Sequence, residues 1–248
     1  MTNEALKIER IKRYQAELDN YFAKCNDSPS LLGELYERYI GYKLEMQGYS
    51  VEYHGIQCKK HHQPDNGIDL IGRHGKYTII VQCKYRTDID GAFQGGVIRD
   101  LFGAWYIYQQ DHQNENVLGR FVTTGILSDD ADNVAKKLHM RLMGLEYMPK
   151  VFPIIKCKTN AGSKALYYLP TDSQYDDIML NLGQGDFYCQ TVAEAEAKNF
   201  RRVVLYTKKP PRGLNRHEII KRIQHSIDWN TNNFEQQEKL RRIHNAQA

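Results

Sequence analysis

Hydrophobic and polar residues follow one another along the chain with helical spacing in some segments and strand-like spacing in others. Near the N-terminus, Ile11, Tyr14, Leu18 and Tyr21 recur every three or four residues, which predicts a helix with one apolar stripe against the core. Short β-branched and aromatic runs predict strands, and the polar segment 57–66 predicts a loop. The predicted elements are helix 2–24, helix 31–47, strand 50–53, a hairpin within 67–86, helix 97–109, strand 118–124, helix 128–142 and strand 151–157. This order predicts an α/β fold with a central mixed β-sheet flanked by helices.

The stretch 67–86 is the centre of this pattern. Two β-rich runs flank Arg73-His74-Gly75-Lys76, whose glycine and polar residues are typical of a hairpin turn. The second run, 77–81, is β-branched and aromatic throughout. Such a run predicts a strand that is buried on both faces.

Candidate chemistry lies at the end of this apolar strand. Gln82 and Lys84 are two residues apart, so in a strand both side chains point to the same face. Asp69 lies near the start of the partner run, and folding of the hairpin brings it beside them. A carboxylate, an amide oxygen and an ammonium group are therefore expected to converge at one edge of the sheet. Long charged side chains are seldom buried without a partner, which favours a functional role for Lys84.

This arrangement resembles the PD-(D/E)XK nuclease superfamily, in which an acidic residue and a hairpin precede an acid or Gln, one spacer residue and Lys. The Gln variant is similar to the Mrr-like (type IV) restriction endonucleases. The resemblance runs from about Leu31 to about Leu138. Tyr36-Glu37-Arg38 looks like part of the family's first helix, and 97–104 and 120–124 look like its later helix and core strand. The family likeness implies a restriction-endonuclease-like core.

The resemblance also implies the roles of the candidate residues. Asp69 is expected to be the principal metal ligand, with Gln82, the backbone carbonyl of Cys83 and Glu37 as further ligands. Lys84 is expected to orient the attacking water and to stabilise charge on the phosphoryl oxygens. The cofactor implied is Mg²⁺, with Mn²⁺ able to substitute, and the activity implied is endonucleolytic hydrolysis of DNA in restriction or anti-phage defence.

Several assignments stay open at this level. Glu34 and Glu45 lie on the same predicted helix as Glu37, and Glu37 is preferred because its distance from the end of that helix fits the family. Asp65 follows a proline and is the second choice for the metal-binding aspartate. Arg86 is a candidate phosphate contact at the edge of the site. The rival functions are a structure-selective nuclease resembling junction resolvases, acting in repair or recombination, and a DNA-binding protein that does not cut.

Charge is distributed unevenly along the 248 residues. The formal net charge is only +4, but the segment from Lys198 onward carries twelve Lys and Arg against four Asp and Glu. This excess predicts that the C-terminal part contacts the DNA backbone, and Lys208, Lys209 and Arg212 are its leading candidates. The predicted division is an N-terminal amphipathic helix over 1–27, the Mrr-like nuclease core over 28–160 and a basic α/β extension over 161–248.

Composition predicts the redox state of the cysteines and the cellular location of the protein. The five cysteines are widely spaced, which argues against a structural zinc site and for reduced thiols. The sequence has no long apolar run of the kind that spans a bilayer and no apolar N-terminal signal, so a cytoplasmic location without membrane contact is expected. A homodimer, or a subunit of a larger defence or repair complex, is the expected assembly.

Overall fold

The computed structural model describes residues 3–86, 91–160 and 164–203. The chain divides into two compact units, one comprising Met1–Arg13 and Val203–Ala248 and the other Tyr14–Arg202. In the first unit the described residues are the start of a helix and Val203. The second unit contains both β-sheets and all the site residues that are described below.

Within the predicted core, the helices and strands follow the predicted order with two additions and one shift. The elements of the chain are α1 (Asn3–Asn26), α2 (Pro29–Met46), β1 (Ser50–Glu52), α3 (His54–Lys60), β2 (Leu70–His74), β3 (Tyr77–Lys84), α4 (Gly95–Asp111), β4 (Asn116–Thr123), α5 (Asp129–Leu138), β5 (Arg141–Met143), β6 (Ile155–Asn160), β7 (Lys164–Tyr168), β8 (Phe187–Cys189), α6 (Val192–Ala197) and β9 (Arg201–Arg202), with short 3₁₀ turns at Tyr175–Asp177 and Leu182–Gln184. The additions are α3 and β5, and β6 begins at Ile155 where the sequence predicts a strand from residue 151.

The central sheet has the order β1-β2-β3-β4-β5. Strands β1, β2 and β3 are antiparallel to one another, whereas β4 and β5 run parallel to β3. The mixed sheet that the sequence predicts is thus confirmed. The carboxyl ends of β3, β4 and β5 consequently meet at one edge, where Lys84 pairs with Thr123.

Strand β3 is buried on both faces, as its composition predicts. Ile79 and Val81 pack on one side with Tyr36 and Leu44 of α2, while Ile80 packs on the other side in the cluster built around α4 and α5. The sheet is therefore the middle of three layers. This packing fixes the end of β3 against α2, the helix that carries Glu37.

Three local predictions are corrected. The segment 57–66 is predicted to be a loop, but its first part belongs to α3, which buries Ile56 and Cys58. Helix α5 ends at Leu138, not at 142, because His139 adopts a left-handed conformation with φ 55° and caps it. The residues after this cap form β5 beside β4, which supplies a partner for an otherwise open strand.

A second sheet follows the first, with the order β8-β6-β7-β9. The hairpin of β6 and β7 spans residue 160, where the sequence places a domain boundary, and that division stays a prediction. All five cysteines are free and buried, and no described helix is long and apolar enough to cross a membrane.

Candidate active site

Asp69 is held at the start of β2 by both neighbouring elements. Its N–H donates to the carbonyl of Val81 at 2.9 Å, and its carbonyl accepts from the N–H of Gly55 at 2.9 Å. The side chain is buried, and Oδ2 accepts from the backbone N–H of Cys83 at 2.6 Å. The hairpin therefore brings Asp69 beside the Gln82–Lys84 segment, as expected from its length and turn.

Glu37 reaches the same place from α2. Its Oε2 atom is buried and has no hydrogen-bond partner among the residues that the structure describes. A Cβ atom added to Gly55 would lie 3.4 Å from this oxygen and 3.2 Å from Oδ1 of Asp69. The two carboxylates thus converge beside the bare backbone of Gly55.

Glu34 and Glu45, the other acidic residues considered on α2, already have polar partners. Glu34 forms an ion pair with Lys59, which also donates to Oγ of Ser30 at 2.9 Å. Glu45 is buried and accepts from the hydroxyl of Tyr188. Among the three candidates, Glu37 is the carboxylate whose buried oxygen remains available beside Asp69.

Gln82 and Cys83 are the residues of β3 next to Asp69. Gln82 is buried, and its Oε1 atom has no partner within the described part of the chain. The backbone N–H of Cys83 is bound to Asp69, and the thiol of Cys83 is buried. The amide oxygen of Gln82 is a second acceptor that has lost water without gaining a protein donor, which is costly unless a ligand satisfies it.

Lys84 is the last residue of β3 and is exposed. Its backbone is fixed, because its carbonyl accepts from Oγ1 of Thr123 at 2.7 Å and from the N–H of Thr124 at 3.3 Å. The ammonium group acts on Asp69, where it lowers the pKa of the carboxyl and partly offsets the effect of burial. Lys84 therefore faces solvent from the same sheet edge that holds Asp69.

Burial makes both carboxyl groups of the site harder to ionise. Burial, followed by the charges of Asp69 and Glu34, raises the pKa of Glu37 to about 9. Burial also raises the pKa of Asp69 to about 6, against the opposing effects of the Cys83 N–H and of Lys84. Both shifts have the direction expected for carboxylates that are taken out of water.

These groups border an open cleft of about 380 Å³ between α2 and α3, into which Glu34, Glu37, Asp65 and Asp69 project. Asp65, the second choice for the metal-binding aspartate, has a structural role here because its Oδ1 accepts from the N–H of Gly67 at 2.9 Å. That hydrogen bond shapes the turn before β2. Asp69, not Asp65, is the aspartate that accepts a hydrogen bond from the N–H of Cys83.

The donors at the site are oxygen atoms of mixed type. No group of three His, Cys, Asp or Glu side chains is arranged to hold a metal in the described ranges. Two carboxylates, an amide oxygen and a backbone carbonyl nevertheless match what Mg²⁺ requires, because this ion binds through one or two carboxylates and keeps several waters. The buried oxygens of Glu37 and Gln82 have no described donor, and a cation would satisfy such acceptors.

The remaining predicted contacts lie outside this centre. The Arg86 guanidinium stacks 3.8 Å above the Phe93 ring and donates through Nη1 to the carbonyl of Gly91 at 2.7 Å. Its role as a phosphate contact stays a prediction. Lys208, Lys209 and Arg212 lie outside the described residues.

Sequence reasoning missed the contribution of α3. Gly55 provides space for both carboxylates, and Lys59 closes one side of the cleft through its bonds to α2. Helix α3 has only seven residues. That length is too short for a helical period to be visible in the sequence.

One family model matches the segment that contains this site. Residues 30–147 match the family model Mrr_cat, described as restriction endonuclease. EndoMS in the apo form is a similar solved structure, with 18% identity, a TM-score of 0.27 and coverage of 32% of this chain and 32% of that chain. An EndoMS–dsDNA2 complex has 18% identity, a TM-score of 0.28 and coverage of 33% of this chain and 32% of that chain. The MspJI restriction endonuclease with a 27-mer oligonucleotide has 17% identity, a TM-score of 0.34 and coverage of 52% of this chain and 28% of that chain. The chain spans about a third of the length of the EndoMS chains, and no curated protein matches it.

The matched segment includes every residue of the cleft together with Gln82, Cys83 and Lys84. The order of its elements, from α2 through the hairpin of β2 and β3 to β4, is also the order on which the resemblance rests. Residues 30–147 of this chain therefore resemble a restriction endonuclease domain of the Mrr_cat family.

Proposed function

We propose that the protein is a metal-dependent endonuclease that hydrolyses phosphodiester bonds in DNA. One observation carries this proposal: Glu37 Oε2, a buried oxygen without a described donor, lies beside Gly55 together with the carboxylate of Asp69. Asp69 accepts from the N–H of Cys83, and the preceding residue, Gln82, has a second buried oxygen without a described donor, Oε1. The exposed Lys84 lies at the same edge of the sheet. A site with only a structural role would gain nothing from leaving these acceptors without donors.

A divalent cation fits these residues. Asp69, Gln82, Glu37 and the carbonyl of Cys83 would hold it, and we propose Mg²⁺, with Mn²⁺ as a substitute, because all four donors are oxygen atoms. Restriction-endonuclease-like proteins generally use divalent metal ions. When bound, such an ion supplies an activated water and neutralises charge on the phosphate.

Asp69, Lys84 and Glu37 have separate roles in the proposed reaction. Asp69 fixes the position of the cation, because its other oxygen is already held by the Cys83 N–H at 2.6 Å. Lys84 orients the attacking water and stabilises negative charge that develops on the phosphoryl oxygens. Glu37 accepts a hydrogen bond from a water or binds the cation once its proton has left.

Gln82 changes the charge of this site relative to an acid at the same position. An amide oxygen binds the cation without contributing a negative charge, so affinity for Mg²⁺ is expected to be lower than in a site with three carboxylates. Phosphates of the substrate then supply part of the coordination. Binding of the cation and binding of DNA should therefore strengthen each other.

The experiment is an incubation of the purified protein with supercoiled, linear and branched DNA, each with Mg²⁺, Mn²⁺ or EDTA. Cleavage of supercoiled and linear DNA with either metal supports the proposal and a role in restriction or defence. Cleavage confined to branched DNA supports the structure-selective alternative. DNA binding without cleavage under any of these conditions supports the non-cutting alternative and contradicts the proposal.

Two substitutions test the residue roles. Lys84→Ala is expected to abolish cleavage and retain metal binding, whereas Asp69→Ala is expected to lose both. Circular dichroism and thermal unfolding serve as controls for the fold. Cleavage by either variant at nearly the wild-type rate would refute this assignment of the site.

A further inference from the structure

Two large apolar side chains are presented to solvent beside the candidate active site. Leu145 is 49% exposed and Tyr147 is 63% exposed, and both follow β5 directly in the chain. The neighbouring Ile126, which follows β4, is also exposed. Single exposed apolar residues are ordinary on protein surfaces, but these three extend from adjacent strand ends at the edge that carries Lys84.

The backbone of this segment is held in a costly conformation. Leu145 has φ 56°, in the left-handed region that a leucine occupies only at a cost of about 1–2 kcal/mol. Strained residues of this kind persist where the surroundings fix them, and they concentrate at functional sites. The strain turns the chain so that Leu145 and Tyr147 remain at the surface and do not pack into the core.

The segment 144–147 is fixed to the two elements that supply the candidate chemistry. The Glu146 N–H donates to the carbonyl of Thr123 at 2.9 Å, and the hydroxyl of Thr123 donates to the carbonyl of Lys84 at 2.7 Å. From α2, the hydroxyl of Tyr36 donates to the carbonyl of Glu146 at 2.9 Å, one residue before Glu37 in the chain. The segment therefore has a fixed position relative to both Lys84 and Glu37.

The distance along the sheet edge can be compared with the spacing of bases. Strands lie about 4.8 Å apart, so a segment on the far side of β4 is roughly 10 Å from the end of β3. Successive nucleotides of a DNA strand are about 3.4 Å apart along the helix axis. If a DNA strand runs along this sheet edge with a phosphate at Lys84, the bases about three steps away lie at Leu145 and Tyr147.

We propose that Leu145 and Tyr147 contact the bases of DNA bound at this site. The inference rests on the proposed function and adds to it the surface that reads or grips the bases. Tyrosine stacks on a base through its ring, and leucine is among the apolar side chains that insert between base steps. A surface for phosphates would instead expose Lys or Arg at these positions.

The test measures DNA affinity in a Lys84→Ala background, so that no substrate is consumed. Tyr147→Ala is expected to weaken binding of a fluorescein-labelled duplex roughly 5- to 150-fold, and Tyr147→Phe to retain it, because the ring and not the hydroxyl touches the base. The plot of log affinity against log salt should be displaced but parallel to that of the parent, since the same phosphates remain neutralised. Tyr106→Ala on α4 removes an aromatic ring of 53% exposure away from this edge and should leave binding unchanged.

Leu145→Gly separates binding from folding. Glycine tolerates a positive φ, so the melting temperature should stay equal or rise, while DNA affinity should fall. Unchanged affinity in both Tyr147→Ala and Leu145→Gly would overturn the inference and leave the proposed function standing. If the Lys84→Ala parent itself does not bind DNA, the proposed function and the inference both fail.

Discussion

Removing one carboxylate from the candidate site should make the metal-free protein more stable. Glu37 lies beside Asp69, with a buried oxygen that no described donor satisfies. Its pKa is raised to about 9, mainly by burial. Glu37→Gln keeps the shape of the side chain and removes the ionisation. The variant should therefore gain stability while losing cleavage activity.

The sign and size follow from proton binding. Between pH 4.5 and about 9 the folded chain keeps a proton on Glu37 that the unfolded chain releases, so this contribution to stability is full below pH 4.5 and is lost as the pH rises. At pH 7.5, about three pH units above the ordinary pKa, the cost is at most about 4 kcal/mol. Water reaches the cleft and screens the charge, so we expect a gain of roughly 1–3 kcal/mol for Glu37→Gln. For a chain of this size the gain corresponds to roughly 3–10 °C in melting temperature.

The assay is urea unfolding of both proteins in EDTA at pH 5 and at pH 7.5. The difference in unfolding free energy should be under about 1 kcal/mol at pH 5, because that pH is close to the ordinary pKa of Glu37. Glu34→Gln is the matched control, since it breaks the ion pair with Lys59 and should not stabilise the protein. A Glu37→Gln effect of the same size at both pH values would show that titration of this carboxyl is not its cause.

Three further predictions concern the metal and the DNA. Gln82→Glu adds a carboxylate to the site and should raise Mg²⁺ affinity in calorimetry, whereas unchanged affinity would place Gln82 outside the ligand set. Gly55→Ala puts a methyl group 3.2 Å from Asp69 and should weaken metal binding at a stability cost of roughly 1 kcal/mol by thermal unfolding, and unaltered metal affinity would show that this space is not needed. Neutralising Lys208, Lys209 and Arg212 together should lower the magnitude of the salt slope of DNA binding by roughly 0.9 for each phosphate that is no longer neutralised, and equal slopes would mean that these residues do not touch DNA.

The elements that sequence predicts well are those with enough residues to show a period or a strong composition. The run 78–81 is buried in the middle of the sheet, and the hairpin then brings Asp69 to the N–H of Cys83. The three-residue strand β5 has no period of its own and depends on pairing with β4. The sequence therefore predicts a helix through residues that form a strand.

The sequence pattern alone does not decide which acidic residue of α2 belongs to the site. Glu34 and Glu37 are three residues apart and share a helical face, so periodicity cannot separate them. The family resemblance favours Glu37, and the structure shows the physical difference: Lys59 from α3 pairs with Glu34 and leaves Glu37 beside Asp69. Because the sequence pattern does not predict α3, it also does not reveal the residue that distinguishes the two acids.

The amide side chain of Gln82 adds no negative charge to the site, and this agrees with the raised pKa values of its two carboxyl groups. Glu37 and Asp69 already have raised pKa values, which means that the site without a cation resists a second and a third negative charge. A carboxylate at 82 would add to that resistance in the folded protein without metal, whereas the amide leaves it unchanged. The same substitution that strengthens metal binding should therefore cost stability when metal is absent. On the proposed function, the amide of Gln82 avoids this cost and leaves part of the coordination of the cation to the phosphates of the DNA.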